Sequence, residues 1–294
     1  MQRSSGGPPG SGLLAETPRA TNGILCTGTL LGREEVAPGI HLLEFGLRAP
    51  QGVSPPMPRP GQFYQVKCGD GPEHMLRRPL SAHGADGTEG EVRLKFLVEV
   101  VGWGTGRLCA LEPGESASML GPLGNGFAIR KDSGKHLLVA GGIGVAPLCF
   151  LAREMEKSGF EYDMLAGFKS GERYYRPLDD LSGGVEVYTE DGTVGGRGVV
   201  SAAVSGHLER GYEAVYTCGP EAMMSDVAAT CEGAMVPCQV SLDARMACGI
   251  GVCRGCAKEG IGGRSLCVCA DGPVFDSHEV LWRDGTSASI SNII

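Results

Sequence analysis

The sequence lacks two features that mark many binding proteins. No apolar run approaches the ~20 residues that cross a bilayer, and there is no cluster of basic residues. Acidic residues outnumber basic ones by 34 to 26, which gives a formal net charge of −8. We therefore expect no membrane and no nucleic acid among the partners.

A secretion signal is also missing from the start of the chain. Residues 1–22 hold Gly, Pro and Ser, but no cationic region followed by an apolar core and a small-residue cleavage site. We interpret this segment as a disordered tail and expect the protein in the cytoplasm. Because that compartment is reducing, the 12 cysteines indicate metal or redox use rather than disulfides.

Five of the 12 cysteines fall between Cys248 and Cys269. Cys248, Cys253 and Cys256 are separated by four and then two residues, and Cys269 follows after twelve more. This spacing is typical of plant-type [2Fe–2S] loops, and the interspersed glycines would let the backbone wrap closely around a cluster. The alternatives are structural zinc and a plain disulfide site, but zinc sites usually pair two C-x-x-C knuckles and the second is missing here. Cys267 remains either an additional thiol or the fourth ligand.

Outside this loop the chain shows two patterns, which predict a multidomain α/β plus β protein. Short β-rich segments broken by Pro and Gly occupy residues 23–130 and predict an antiparallel barrel. Strands alternate with helices over residues 131–230, as in a Rossmann-like parallel sheet. Residues 231–294 continue neither pattern and form, on this interpretation, a small C-terminal cluster lobe.

Two glycine-containing turns follow strands of the predicted parallel sheet. Their candidate binding residues are Gly141, Gly142, Gly144, Cys218, Gly219 and Pro220. Ligands of such sheets lie beyond the carboxyl ends of the strands, so turns on adjacent strands would hold the two halves of a dinucleotide. Lys169, Arg173 and Arg176 follow another strand and face either solvent or a 2′-phosphate, which leaves NAD against NADP open.

The barrel segment carries two unusual stretches, LRRPLSAHG and VVGWGTGRL. Arg78 can pair with a phosphate through its guanidinium group, and Ser81 can donate a hydrogen bond through its hydroxyl. The alternative is an ordinary hairpin with a surface arginine. Nicotinamide cofactors exchange hydride whereas a cluster accepts single electrons, so a chain with both predicts a flavin in the remaining domain.

Several motifs together resemble one family. RPLS, GWGT, GGIGVAP, CGPEAM, RMACGIGVCRGC and CADGPVF are similar to motifs of the electron-transfer subunits of NAD-linked, two-subunit dihydroorotate dehydrogenases, within the ferredoxin reductase superfamily. The resemblance covers about residues 23–281. It implies FAD, NAD and a [2Fe–2S] cluster as cofactors.

The resemblance also implies site residues. Those for FAD are Arg78, Pro79, Leu80, Ser81, Leu97, Val98, Glu99, Gly104 and Thr105. The implied cluster ligands are Cys248, Cys253, Cys256 and Cys269, because the family's fourth cysteine directly precedes the xDGPVF run. Cys218 corresponds to a cysteine that packs near the nicotinamide ring.

By this resemblance, a separate FMN-containing catalytic subunit oxidises dihydroorotate, and electrons cross the cluster and FAD of this chain to NAD⁺ in a two-plus-two heterotetramer. The chain itself offers no obvious base for carbon chemistry, since His74, His83 and His278 read as surface or packing residues. Three alternatives stay open. They are a related reductase subunit of a sulfide dehydrogenase, an NADPH-linked ferredoxin oxidoreductase or a hydrogenase; a self-contained reductase for diffusing acceptors; and a zinc-stapled binding module.

Overall fold

The computed structural model describes residues 23–69, 71, 74–88, 90–130 and 134–282. The predicted tail, residues 1–22, and residues 283–294 of the predicted C-terminal lobe lie outside this described part. Among the described residues, no helix is long and apolar enough to cross a membrane.

The first domain is a closed antiparallel barrel, with strands in the order β1-β2-β5-β4-β3-β6. Its strands are β1 (Ile24–Ala37), β2 (Ile40–Arg48), β3 (Phe63–Val66), β4 (Arg78–Thr88), β5 (Glu91–Glu99) and β6 (Ser116–Leu123), and helix α1 (Trp103–Cys109) lies between β5 and β6. The alternation of β5 shows why this segment is a strand, since Val92, Leu94 and Phe96 are buried in the barrel while Glu91 and Arg93 face solvent. The predicted antiparallel barrel is confirmed.

The second domain is a seven-stranded sheet in the order β10-β9-β8-β7-β11-β12-β15. Its strands are β7 (His136–Gly141), β8 (Tyr162–Phe168), β9 (Gly184–Thr189), β10 (Gly196–Arg197), β11 (Ala214–Cys218), β12 (Cys238–Ser241) and β15 (Val274–Asp276), and its helices are α2 (Val145–Ser158), α3 (Val204–Leu208) and α4 (Glu221–Gly233). All neighbouring strands are parallel except β12 and β15. Every residue of β7 is buried, as expected for a strand covered on both faces. The predicted parallel sheet is confirmed.

This sheet takes two of its strands from the segment that the sequence assigns to the C-terminal lobe. Strand β12 extends the sheet beside β11, and β15 returns antiparallel beside β12. Val240 and Phe275 are buried in the same apolar core as Val215 of β11. The short runs CQVS and VFD carry no local pattern that distinguishes a sheet strand from a lobe strand. The lobe is therefore the cysteine loop plus a hairpin of β13 (Ala257–Glu259) and β14 (Ser265–Cys267), set between two strands of the sheet.

The barrel and the sheet meet around a fully buried histidine. His83 of β4 is 0% exposed, its Nδ1 lies 3.1 Å from the carbonyl oxygen of Ala146, and its Nε2 lies 2.8 Å from the hydroxyl of Tyr175. A carbonyl can only accept, so Nδ1 carries the proton and Nε2 accepts from the tyrosine. Burial lowers the pKa of His83 to about 3, which keeps the ring neutral. The prediction of a packing role is consistent with this arrangement.

Candidate functional site

Five cysteines converge in the C-terminal lobe. Cys256, Cys267 and Cys269 are buried, and their sulfurs all lie within 4.8 Å of one another. The Cys267 sulfur lies 3.6 Å from that of Cys256 and 3.8 Å from that of Cys269. Cys248 is half-buried and Cys253 is exposed on the loop that covers this group. The lobe thus gathers more thiols than a single cluster needs.

Backbone N–H groups point at four of these five sulfurs. The contacts run from Ile250 and Cys253 to Cys248 (3.5 and 3.4 Å), from Gly255 to Cys253 (3.4 Å), from Cys269 to Cys256 (3.4 Å), and from Gly251 to Cys269 (3.1 Å). Within the described residues, no backbone N–H donates to the sulfur of Cys267. The four sulfurs with donors are those that the family resemblance implies as ligands, and N–H donors of this kind stabilise thiolates.

The loop needs its glycines for two different reasons. Gly249 and Gly251 have φ values of +72° and +84°, in the left-handed region that side chains avoid. A Cβ on Gly249 would lie 2.6 Å from Cγ of Gln65 in the barrel, and one on Gly251 would lie 2.9 Å from Cβ of Ala270. A Cβ on Gly255 would lie at an ordinary 3.6 Å from the Cys253 sulfur. The expectation that these glycines clear space for the cluster itself is thus refined, since Gly249 makes room for the barrel.

The loop also alters the acidity of its first cysteine. Burial raises the pKa of Cys248, but the N–H groups of Cys253 and Ile250 outweigh it and hold this pKa at about 6. The thiolate, which is the ligating form, is therefore favoured at neutral pH. Burial and the neighbouring Cys256 instead raise the pKa of Cys269, so this thiol has to lose its proton when it ligates a metal. Iron–sulfur clusters bind through cysteine sulfurs, so the lobe fits such a group by the type and number of its donors.

The residues implied for FAD converge on one end of the barrel. Arg78, Pro79, Leu80 and Ser81 begin β4, Leu97, Val98 and Glu99 end the adjacent β5, and Gly104 and Thr105 lie in α1. A Cβ on Gly104 would lie 2.8 Å from Nε of Arg78, so the guanidinium lies directly against this helix. A side chain at that position would displace the guanidinium from the helix.

Some of these side chains already have partners. The Thr105 hydroxyl accepts hydrogen bonds from the backbone N–H groups of Val101 (3.0 Å) and Gly102 (3.3 Å). The carboxylate of Glu99 forms an ion pair with Arg173 of the second domain, which gives that arginine a partner other than a 2′-phosphate. Leu97 and Val98 are buried, so these two residues offer a ligand their backbone rather than their side chains.

Sequence reasoning missed an aromatic stack at this end of the barrel. The ring of His74 lies 3.2 Å from that of Trp103, nearly parallel to it at 11°. Trp103 is nevertheless 50% exposed, and the apolar side chains of Val101 and Leu76 are 75% and 55% exposed. The available signal was the tryptophan between two glycines in the GWGT stretch. A large ring flanked by glycines has few neighbouring side chains that could bury it.

The two candidate nucleotide turns lie in direct contact. Strands β7 and β11 are parallel neighbours, and each ends in one of the turns. A Cβ on Gly144 would lie 2.2 Å from the carbonyl oxygen of Cys218, and one on Gly219 would lie 2.9 Å from Cα of Gly141. The glycines therefore let the two backbones touch. Burial raises the pKa of Cys218 to about 12, so its thiol is protonated and suited to packing rather than to nucleophilic attack.

Comparisons with known proteins agree with this arrangement. The chain is 39% identical over 226 residues to the electron transfer subunit of dihydroorotate dehydrogenase B (NAD(+)) from Clostridium acetobutylicum, covering 77% of this chain and 87% of that one. The corresponding protein of Desulforamulus reducens is 35% identical over 257 residues, with 84% and 95% covered. The chain belongs to this family. Residues 243–281 match the model of the iron-sulfur cluster binding domain of dihydroorotate dehydrogenase B.

Solved structures support the same assignment of fold. An NADH-dependent reduced ferredoxin-NADP oxidoreductase superposes with a TM-score of 0.73 at 27% identity, covering 87% of this chain and 90% of that one. Phthalate dioxygenase reductase superposes with a TM-score of 0.58 at 20% identity, covering 82% and 75%. Membership of the dihydroorotate dehydrogenase B electron-transfer family confirms the predicted NAD-linked oxidoreductase subunit with flavin and iron–sulfur cofactors.

Proposed function

We propose that this chain carries electrons to NAD⁺ from the FMN of a catalytic subunit, which oxidises dihydroorotate. In this proposal Cys248, Cys253, Cys256 and Cys269 hold a [2Fe–2S] cluster. The N–H array of the cysteine loop is the observation that carries this proposal. Each of the four sulfurs accepts at least one backbone N–H, whereas Cys267 accepts none within the described residues. Cys267 is accordingly an additional thiol beside two ligands.

The barrel and the sheet supply the other two sites in this proposal. A cluster exchanges single electrons and NAD exchanges a hydride, whereas FAD can exchange either single electrons or a hydride. The FAD residues are Arg78, Pro79, Leu80, Ser81, Leu97, Val98, Glu99, Gly104 and Thr105, and the NAD residues are Gly141, Gly142, Gly144, Cys218, Gly219 and Pro220. Arg78 lies against α1, where Gly104 has no side chain to displace it. Its guanidinium group has two N–H groups in a geometry that matches phosphate oxygens. The protonated Cys218 would pack against the nicotinamide of a bound NAD.

The partner surface is the exposed face of the cysteine loop. Ile250 and Val252 are 53% and 78% exposed, and Cys253 lies between Val252 and the solvent-facing Arg254. Apolar side chains beside a ligand suit a surface that a catalytic subunit covers. We place two copies of each subunit in a cytoplasmic assembly. The barrel domain is residues 23–130, the nucleotide domain is residues 131–230 together with strands β12 and β15, and the cluster lobe lies between those two strands.

A related reductase subunit with another partner is the second candidate. It is favoured by the superposition on an NADH-dependent reduced ferredoxin-NADP oxidoreductase at a TM-score of 0.73. The same residues would hold the same cofactors, so only the partner separates the two proposals. Purified chain is therefore mixed in turn with the dihydroorotate dehydrogenase catalytic subunit and with ferredoxin, and NADH formation is followed with each reductant.

The cofactor part of the proposal has its own test. We expect a yellow-brown protein with about two irons per chain, FAD, and a paramagnetic signal after dithionite reduction. Cys253→Ser should abolish the signal and keep FAD, whereas Cys267→Ser, the matched control, should keep both. Loss of FAD from Cys253→Ser with dihydroorotate-driven NADH formation intact would refute the proposal, and so would the absence of a signal from the native chain.

A further inference from the structure

The short strand β3 directs its side chains alternately to two sides of the barrel wall. Tyr64 and Val66 are fully buried and pack in the barrel core. Phe63 packs instead in the core shared by the sheet and the C-terminal lobe. Since successive side chains of a strand point to opposite faces, Gln65 lies on the same outer face as Phe63. It is 0% exposed there.

The side-chain carboxamide of Gln65 is fully buried. Within the described residues, neither its Nε2 nor its Oε1 has a protein partner. Buried amides in native proteins are nearly always satisfied, so a fully orphaned one points to a group that belongs beside it. Gln62, three residues earlier, shows the ordinary state, because its Nε2 donates to Gly124 and its Oε1 accepts from Arg59.

The orphaned amide lies against the cysteine loop. A Cβ on Gly249 would come within 2.8 Å of Nε2 of Gln65, and Gly249 directly follows the ligand candidate Cys248. In the barrel, Gln65 is in register with Pro79, one residue from Arg78. Gln65 is thus a single side chain that connects the strand of the candidate flavin site to the loop of the candidate cluster site.

We propose that Gln65 is a positioning residue for the cluster, its Nε2 group donating a hydrogen bond to a sulfur on the Cys248 side of the loaded site. This inference rests on the proposed function only in that the loop holds the cluster. Hydrogen bonds to the sulfurs favour the more negative, reduced cluster and raise its reduction potential. The barrel would in this way set the potential of the lobe that packs on it.

Two substitutions test the proposal on the full chain with its cofactors. Gln65→Met keeps length and loses the donor, and Gln65→His keeps an N–H donor. In a redox titration followed by the paramagnetic signal, Gln65→Met should lower the reduced-to-oxidised ratio at a fixed potential about tenfold, equivalent to about 59 mV for a one-electron centre. Gln65→His should return most of the shift, and Gln62→Met, the matched control, should titrate like the native chain.

The outcomes separate this inference from the proposed function. A native chain without a signal would refute the cluster assignment itself. A native signal with Gln65→Met titrating at the native potential would overturn only the role of Gln65, and a shift confined to the flavin would do the same. Loss of the cluster from Gln65→Met but not from Gln65→His supports the donor role, whereas loss from both shows that Gln65 only packs the loop.

Discussion

Replacing Gly144 with alanine tests whether the two nucleotide turns depend on direct backbone contact. The added Cβ would lie 2.2 Å from the carbonyl oxygen of Cys218 and 2.8 Å from the backbone nitrogen of Gly219. Both obstacles are main-chain atoms, which cannot rotate away, so the two turns must separate. Overpacking of this kind costs about 1–3 kcal/mol. For a domain of roughly 100 residues we expect a fall in the unfolding midpoint of roughly 4–8 °C per kcal/mol.

The separation should also weaken NADH binding, because the turns end the two central strands β7 and β11. The assay is NADH oxidation by an artificial dye, with the KM for NADH measured beside FAD content and thermal midpoint. Gly206→Ala in α3 is the control, since in the described part of the chain no atom lies within 4 Å of the added Cβ. Native stability and a native KM for Gly144→Ala, with Gly206→Ala also unchanged, would refute the contact argument.

Three further predictions follow from other contacts. Burial lowers the pKa of His83 to about 3, whereas an unfolded histidine has ~6.5. The contribution of the neutral His83 to stability should therefore be fully present above pH 6.5 and be lost by about 1.4 kcal/mol per pH unit between there and pH 3. His83→Gln should remove this part of the slope in acid unfolding curves. Cys269→Ser should lose iron, while Cys267→Ser retains it in iron and sulfide assays. Arg173→Ala breaks the ion pair with Glu99 and should lower the free energy of unfolding by about 1 kcal/mol or less, measured as a small fall in the thermal midpoint. Initial rates should still show NADH preferred over NADPH.

The sequence determined the parts of this protein that depend on residues close together in the chain. The intervals between Cys248, Cys253 and Cys256 predict the cluster loop because a cluster must be wrapped by one short segment. Alternating and glycine-broken apolar runs likewise predict the barrel and the parallel sheet, since strand and helix periods are local properties. The family motifs were recognisable for the same reason.

Only the tertiary structure decided what those parts touch. Strand β15 pairs with β12, although the whole cysteine loop lies between them in the sequence. Glu99 of the barrel forms an ion pair with Arg173 of the second domain. Gln65 and Gly249 are far apart in sequence, yet they pack together, since a Cβ on Gly249 would lie 2.6 Å from Cγ of Gln65. Within the described residues, the amide of Gln65 is also buried without a partner. Burial and close approach arise from the folded arrangement of distant segments, and no local pattern of residue types encodes them.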